Sequence, residues 1–153
     1  MRKAFVVVIA AALILPSGLS VPAWGQDPSL TAVNVTFKLP KCDNRNPDTR
    51  IEMSVVKAGT VIAEDTNMAP GREFDDPGTY GPFPLVLKNA VTKTFYAGST
   101  TKLHITPHGN DTWCTEIHVE ALFADNSRIN TWSCTVVKVS ERNRDAQFVN
   151  QPC

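Results

Sequence analysis

Three histidines and four cysteines are the side chains in this chain whose chemistry most readily serves catalysis or metal binding. His108 opens the stretch His-Gly-Asn-Asp-Thr-Trp, residues 108–113, which lies between two apolar runs; His104 sits four residues earlier and His118 ten later. Catalysis needs a nucleophile, a base and an orienting group brought into one pocket. The chain carries no G-x-S-x-G, H-E-x-x-H or P-loop pattern. The His104–His108 spacing aligns two ligands on a helix, not across the end of a strand. Asp75 and Asp76 are adjacent, so on extended backbone their carboxylates point apart. The residues therefore read as a protein that is not an enzyme, with no catalytic residues and no cofactor held by a motif.

The cysteines give a firmer expectation. Cys42, Cys114, Cys134 and Cys153 are spaced by 72, 20 and 19 residues, with no C-x-x-C pair, and this does not resemble a zinc pattern. An even count in an exported chain reads as two disulfides, with three connectivities open. Cys153 would then staple the tail, residues 142–152, to the domain, contributing about 2–4 kcal/mol.

Export is itself read from the first 25 residues. Arg2 and Lys3 precede an apolar run over residues 4–15, then Pro16 and Gly18 break it, and Ala23-Trp24-Gly25 places small residues at the −3 and −1 positions. That is the order of a secretory signal peptide. The apolar run is short of the roughly twenty residues that span a bilayer. Cleavage after Gly25 would leave a secreted or periplasmic chain with no transmembrane segment. It would carry 13 basic against 15 acidic residues, a formal charge of −2. A near-neutral chain without a run of like charges excludes nucleic acid as the expected partner.

The elements that must position these residues are strands. Residues 31–39 alternate Val33, Val35, Phe37 and Leu39 against polar neighbours, and residues 49–57 repeat the pattern with Ile51, Met53 and Val55. Ala58-Gly59 turns the chain back through 60–63, predicting a hairpin over 49–64. Residues 65–82 read as a long irregular stretch, and 83–87 as a strand interrupted by Pro84. Strands follow over 102–106, 113–124 and 127–139, the last two joined by the tight-turn pair Asp125-Asn126. Period-two alternation with one polar face marks antiparallel sheets packed on one side. Seven or eight such strands in about 110 residues predict a single all-β domain, residues 26–153, built as a disulfide-stabilised antiparallel β-sandwich.

The order of these motifs resembles the PLAT/LH2 domain, a C2-like sandwich. Asp48 opening the second strand, then Leu103, Ile105, Gly109 and Trp113, carry the likeness, which spans about residues 31–140. It implies a non-catalytic module, calcium-dependent and directed at a lipid surface or a protein partner. Calcium takes six to eight oxygen ligands, and the resemblance points to Asp43, Asp48, Asp75, Asp76 and Asp111 as the metal set. The same picture, with two loops at one end of the sandwich, implies the pairings Cys42–Cys114 and Cys134–Cys153. A different class of function is a carbohydrate-binding or inhibitor-type sandwich without metal. It would use aromatic residues in or beside loops and on the outer face, with Trp132, Tyr80 and Tyr96 as candidates for a glycan contact.

The mature N-terminus is open to direct measurement. Intact mass of the exported protein is expected to match a chain beginning at Gln26; a mass that retains residues 1–25 contradicts the signal-peptide reading.

Overall fold

The computed structural model describes residues 25–41, 46–75, 77–108 and 112–151. Alternating sequence becomes alternating burial. β1 (Leu30–Leu39) buries Val33, Val35, Phe37 and Leu39, and β2 (Arg50–Lys57) buries Ile51, Met53 and Val55. Ala58 and Gly59 both take positive φ, the geometry of a two-residue hairpin turn, and β3 (Thr60–Asp65) returns antiparallel to β2. β4 (Gly78–Leu87) precedes a single helical turn, α1 (Lys93–Tyr96), capped by the Thr92 side chain. β5 (Thr100–Thr106) and β6 (Thr112–Phe123) follow, then β7 (Arg128–Trp132), β8 (Val137–Ser140) and β9 (Asp145–Val149).

All pairings are antiparallel, in the order β7-β6-β1-β4-β3-β2-β5-β9, with β8 also on β6. The fold is therefore all-β, but one sheet curls into a half-barrel where two separate sheets were predicted. The reason lies in β4. Its first part pairs with β1, from Leu39↔Gly78 to Val33↔Leu85, and its last residues pair with β3 at Ala63↔Leu87 and Glu64↔Val86. One strand thus belongs to both halves.

β4 also begins five residues earlier than its sequence suggests. Gly81 and Pro82 form a bulge opposite Thr36, since Val35 pairs with Phe83 and Phe37 with Tyr80. Gly81 has φ 126°, and a Cβ there would lie 2.7 Å from the Val35 carbonyl oxygen. Only glycine fits so close to β1. Proline is tolerated where a bulge suspends the ladder.

Two further corrections concern the C-terminal part. The predicted strand 127–139 is broken at residues 133–136, where Cys134 adopts φ 59°. Ser133 holds the break: its amide donates to the Ile117 carbonyl at 2.9 Å, and its Oγ accepts from the Ile117 amide at 3.2 Å and donates to the Thr135 carbonyl at 2.7 Å. The tail, to which no strand was assigned, includes β9, which pairs with β5 from Thr100↔Val149 to His104↔Asp145. Beyond it, buried Asn150 accepts from Thr101 Oγ1 at 2.7 Å and donates to Ser99 Oγ at 2.8 Å.

Both halves share one core. At its centre Phe37 meets Trp113 edge-on at 5.0 Å and touches Phe74 and Phe83 at about 6 Å between ring centroids. Phe74 and Met68 come from the stretch 66–77 between β3 and β4, and both are fully buried. The irregular segment is thus a lid on the core. Phe37→Ala is expected to cost about 3–5 kcal/mol in chemical denaturation; a loss below about 1 kcal/mol would contradict a central role for this ring.

Candidate functional site

The outward face of β7, β6 and β1 carries the most distinctive surface group. His118 on β6 and Trp132 on β7 are direct cross-strand partners. Their rings stack at 4.6 Å with 24° between planes. His118 Nε2 lies 3.2 Å from Asn130 Oδ1 on the same face of β7. Trp132 remains 42% exposed, whereas Trp113 is fully buried. Thr36 on β1 sits opposite His118 on the other side.

Charge pairs flank this stack. Lys38 Nζ donates to Glu116 at 3.1 Å and Arg128 to Glu120 at 2.7 Å. Such exposed pairs contribute at most about 1 kcal/mol each, but they leave the face close to neutral. Beside Trp132 the break at 133–136 opens a shallow cavity of about 370 Å³, lined by Glu116, Trp132 and Ser133 through Val136. The arrangement is an aromatic plate with amide, carboxylate and guanidinium groups around it.

The other half carries a polar groove of about 610 Å³ across β3, β2, β5 and β9. His104 Nδ1 lies 2.7 Å from Asp145 Oδ1 there, Glu52 pairs with Arg50 at 3.3 Å and Glu64 with Lys88 at 3.2 Å. Glu52 and Glu64 thus each have a cationic side chain beside them. The His104–Asp145 pair was not read from sequence, because no strand was assigned to the tail that carries Asp145.

The residues of the implied calcium set are only partly brought together. Asp48 is exposed and its Oδ2 lies 3.7 Å from His108 Nδ1. The His108 amide donates to Thr49 Oγ1 at 3.1 Å. The pairing Arg50↔Thr106 places the segment before β2 and the segment after β5 at one end of the sheet. Asp43, Asp76 and Asp111 lie outside the described residues. Asp75 is exposed, and its backbone is engaged by Tyr80: the amide donates to Tyr80 Oη at 2.7 Å, and the hydroxyl donates back to the Asp75 carbonyl at 3.0 Å. Among the described residues no three His, Cys, Asp or Glu side chains are grouped to hold a metal ion. Of the cysteines, Cys114 is buried on β6 and Cys134 is exposed after β7. Cys42 and Cys153 lie outside the described residues, and so do both expected pairings.

The three candidate aromatics separate by environment. Trp132 is the one that presents its ring. Tyr80 is half-buried, stacked on Phe74 at 4.4 Å and covered by the Arg72 guanidinium at 5.5 Å. Tyr96 is fully buried and meets Phe123 edge-on at 5.9 Å, so it offers no surface to a ligand. Its position on the single turn of α1 points it into the core, which no periodic pattern announced. Among the described residues no helix is long and apolar enough to cross a membrane. Comparison of the chain with protein-family models, curated proteins and solved structures finds no match.

Burial raises the pKa of the Tyr96 phenol above its ordinary value of 10.0, and its hydroxyl has no hydrogen-bond partner by geometry. The folded chain therefore holds this proton to higher pH than the unfolded chain does. Stability is full below pH 10.0 and falls as pH rises beyond it. Tyr96→Phe is expected to remove that part of the alkaline fall. At neutral pH it should leave stability unchanged or raise it, by on the order of 1 kcal/mol. A loss above about 2 kcal/mol at pH 7 would show that the hydroxyl is satisfied.

Proposed function

We propose that the protein is an exported, non-catalytic binding module that engages a glycan through the outward face of β7, β6 and β1. The observation that carries this reading is the half-exposed Trp132 ring, backed by His118 and surrounded by polar side chains. A pyranose with equatorial hydroxyls has a flat C–H face that stacks on an indole, and its hydroxyls need hydrogen-bond partners at the ring edge. Asn130, Glu116, Glu120 and Arg128 supply them. β-Linked glucans and N-acetylglucosamine polymers have this shape along the whole chain. Export follows from the signal-like first 25 residues, and two disulfides, Cys42–Cys114 and Cys134–Cys153, fit that compartment.

The PLAT-like reading, calcium-dependent binding of lipid or a protein partner at the loop end, has one supporting observation. Asp48, one of the implied metal set, and His108 approach each other. The glycan reading needs no metal.

Two measurements separate these readings. On a glycan array and in calorimetry with cellohexaose and chitohexaose, Trp132→Ala is expected to lose at least about tenfold in affinity, or about 1.4 kcal/mol. Its melting temperature should hold, because the ring is exposed. Equal binding by wild type and Trp132→Ala, or no glycan bound by either, overturns the proposal. Melting followed at millimolar calcium is expected to show no shift. A rise of several degrees that a chelator reverses would favour the loop-end reading.

A further inference from the structure

We propose that the polar groove across β3, β2, β5 and β9 is a binding site of its own, which holds a dipeptide by its two charged ends. The site is independent of the glycan reading and uses no residue of the β7–β6–β1 face.

Strand register builds the groove. Met53 and Leu103 are buried in the core, so their neighbours on β2 and β5 face outward. Ser54 pairs with Lys102, and Lys102 with Gln147 on β9; Glu52 pairs with His104, and His104 with Asp145. Two rows of side chains therefore cross the strands. The first holds a hydroxyl, an ammonium and an amide. The second holds two carboxylates with an imidazole between them. All six residues line the same cavity of about 610 Å³, a size typical of small-molecule sites.

The rows differ in what the fold already satisfies. Among the described residues, the side chains of Ser54, Lys102 and Gln147 have no hydrogen-bond or ion-pair partner. Lys102 is thus a cation in mid-groove with its charge unmatched. In the second row Glu52 meets Arg50 through Oε1, and Asp145 meets His104 through Oδ1. A carboxylate accepts through both oxygens, so each keeps one oxygen for a donor. Glu52 is the more sheltered of the two, 34% exposed against 78% for Asp145.

Charge decides the class of ligand. Arg50 balances Glu52, and Lys88 balances Glu64. A simple anion drawn to Lys102 also meets Asp65 and Asp145, and a simple cation drawn to those acids meets Lys102. A ligand that carries both a carboxylate and an ammonium satisfies both sets. Length then decides among such ligands. The rows lie two residues apart along each strand, about 6.8 Å. An extended chain advances about 3.3–3.6 Å per residue. The free ends of a dipeptide match that separation, and those of a single amino acid fall short. The carboxylate goes to Lys102, with Ser54 and Gln147 donating beside it, and the ammonium donates to Glu52.

Titration of ¹⁵N-labelled protein with the dipeptide Ala-Ala tests this. Saturable shifts are expected at Ser54, Lys102 and Gln147, and none at Trp132. N-acetyl-Ala-Ala and Ala-Ala amide should each bind at least about tenfold more weakly, because each loses one charge-assisted contact. Alanine, too short to reach both rows, should bind as weakly. Lys102 is exposed, so Lys102→Met should keep the wild-type melting temperature. It should lose about tenfold for Ala-Ala but bind Ala-Ala amide as wild type does, since the amide has no carboxylate for Lys102 to hold.

The absence of a saturable shift with Ala-Ala overturns the inference. So does equal affinity for the free and end-blocked dipeptides, or a Lys102→Met variant that binds Ala-Ala as tightly as wild type. A variant weakened equally toward Ala-Ala and its amide overturns the placing of the carboxylate on Lys102. Trp132→Ala should bind Ala-Ala unchanged, so failure of the glycan reading leaves this site standing.

Discussion

The structure depends on one strand serving two halves of a sheet. β4 pairs along β1 with its first residues and along β3 with its last, so the sheet cannot separate into independent layers. It must curl, and the curl brings the inner faces of β1, β2, β5 and β6 onto one core. The bulge at Gly81-Pro82 lets β4 bend there, because a bulge adds local twist at the cost of a ladder bond. The aromatic rings of Phe37, Phe74, Phe83 and Trp113 fill the space that the bend creates. Close packing of large rings gives this curvature its energetic basis.

The two outward faces of the same sheet then have different characters. On β2, β3, β5 and β9 His104 pairs with Asp145 and Glu64 with Lys88. Cross-strand pairs of this kind stabilise the sheet modestly and are satisfied without a ligand. On β7, β6 and β1 the pairs lie to the sides and leave an aromatic stack between them. The indole of Trp132 leaves apolar area in water on this face, and its burial would favour a ligand there. The break at Cys134 also blunts the edge beyond Trp132, which limits strand-to-strand association there.

Much of this was legible in the residues. The period-two runs of Val33 to Leu39 and of Ile51 to Val55 mark core strands, and they are buried as expected. Trp113 opening an apolar stripe is likewise buried. The Asp125-Asn126 pair marks the β6–β7 hairpin, but the loop also takes in Ala124, so counting outward from the pair misses the facing of His118 and Trp132 by one residue. What could not be read has physical causes. Gly78 to Pro84 looks like loop because glycine and proline obscure a bulged strand. Ser133 and Cys134 interrupt a continuous β-pattern through a backbone kink, not through composition. β9 has only two half-buried positions, Ala146 and Phe148, too few to reveal a period. Tyr96 is placed by tertiary packing of one helical turn. The HGNDTW stretch divides the same way: Trp113 was decided by alternation, while Asp111 depends on loop geometry outside the described residues.

The central claim is that ligand binds on the β7–β6–β1 face, with Trp132 at its centre. Backbone and indole amide resonances of ¹⁵N-labelled protein, followed while cellohexaose or chitohexaose is added, test it most directly. The account predicts shifts concentrated at the Trp132 indole N–H, His118 and Asn130, fading across β1. Shifts centred instead on Asp48 and His108, or on the groove around His104 and Asp145, would contradict it.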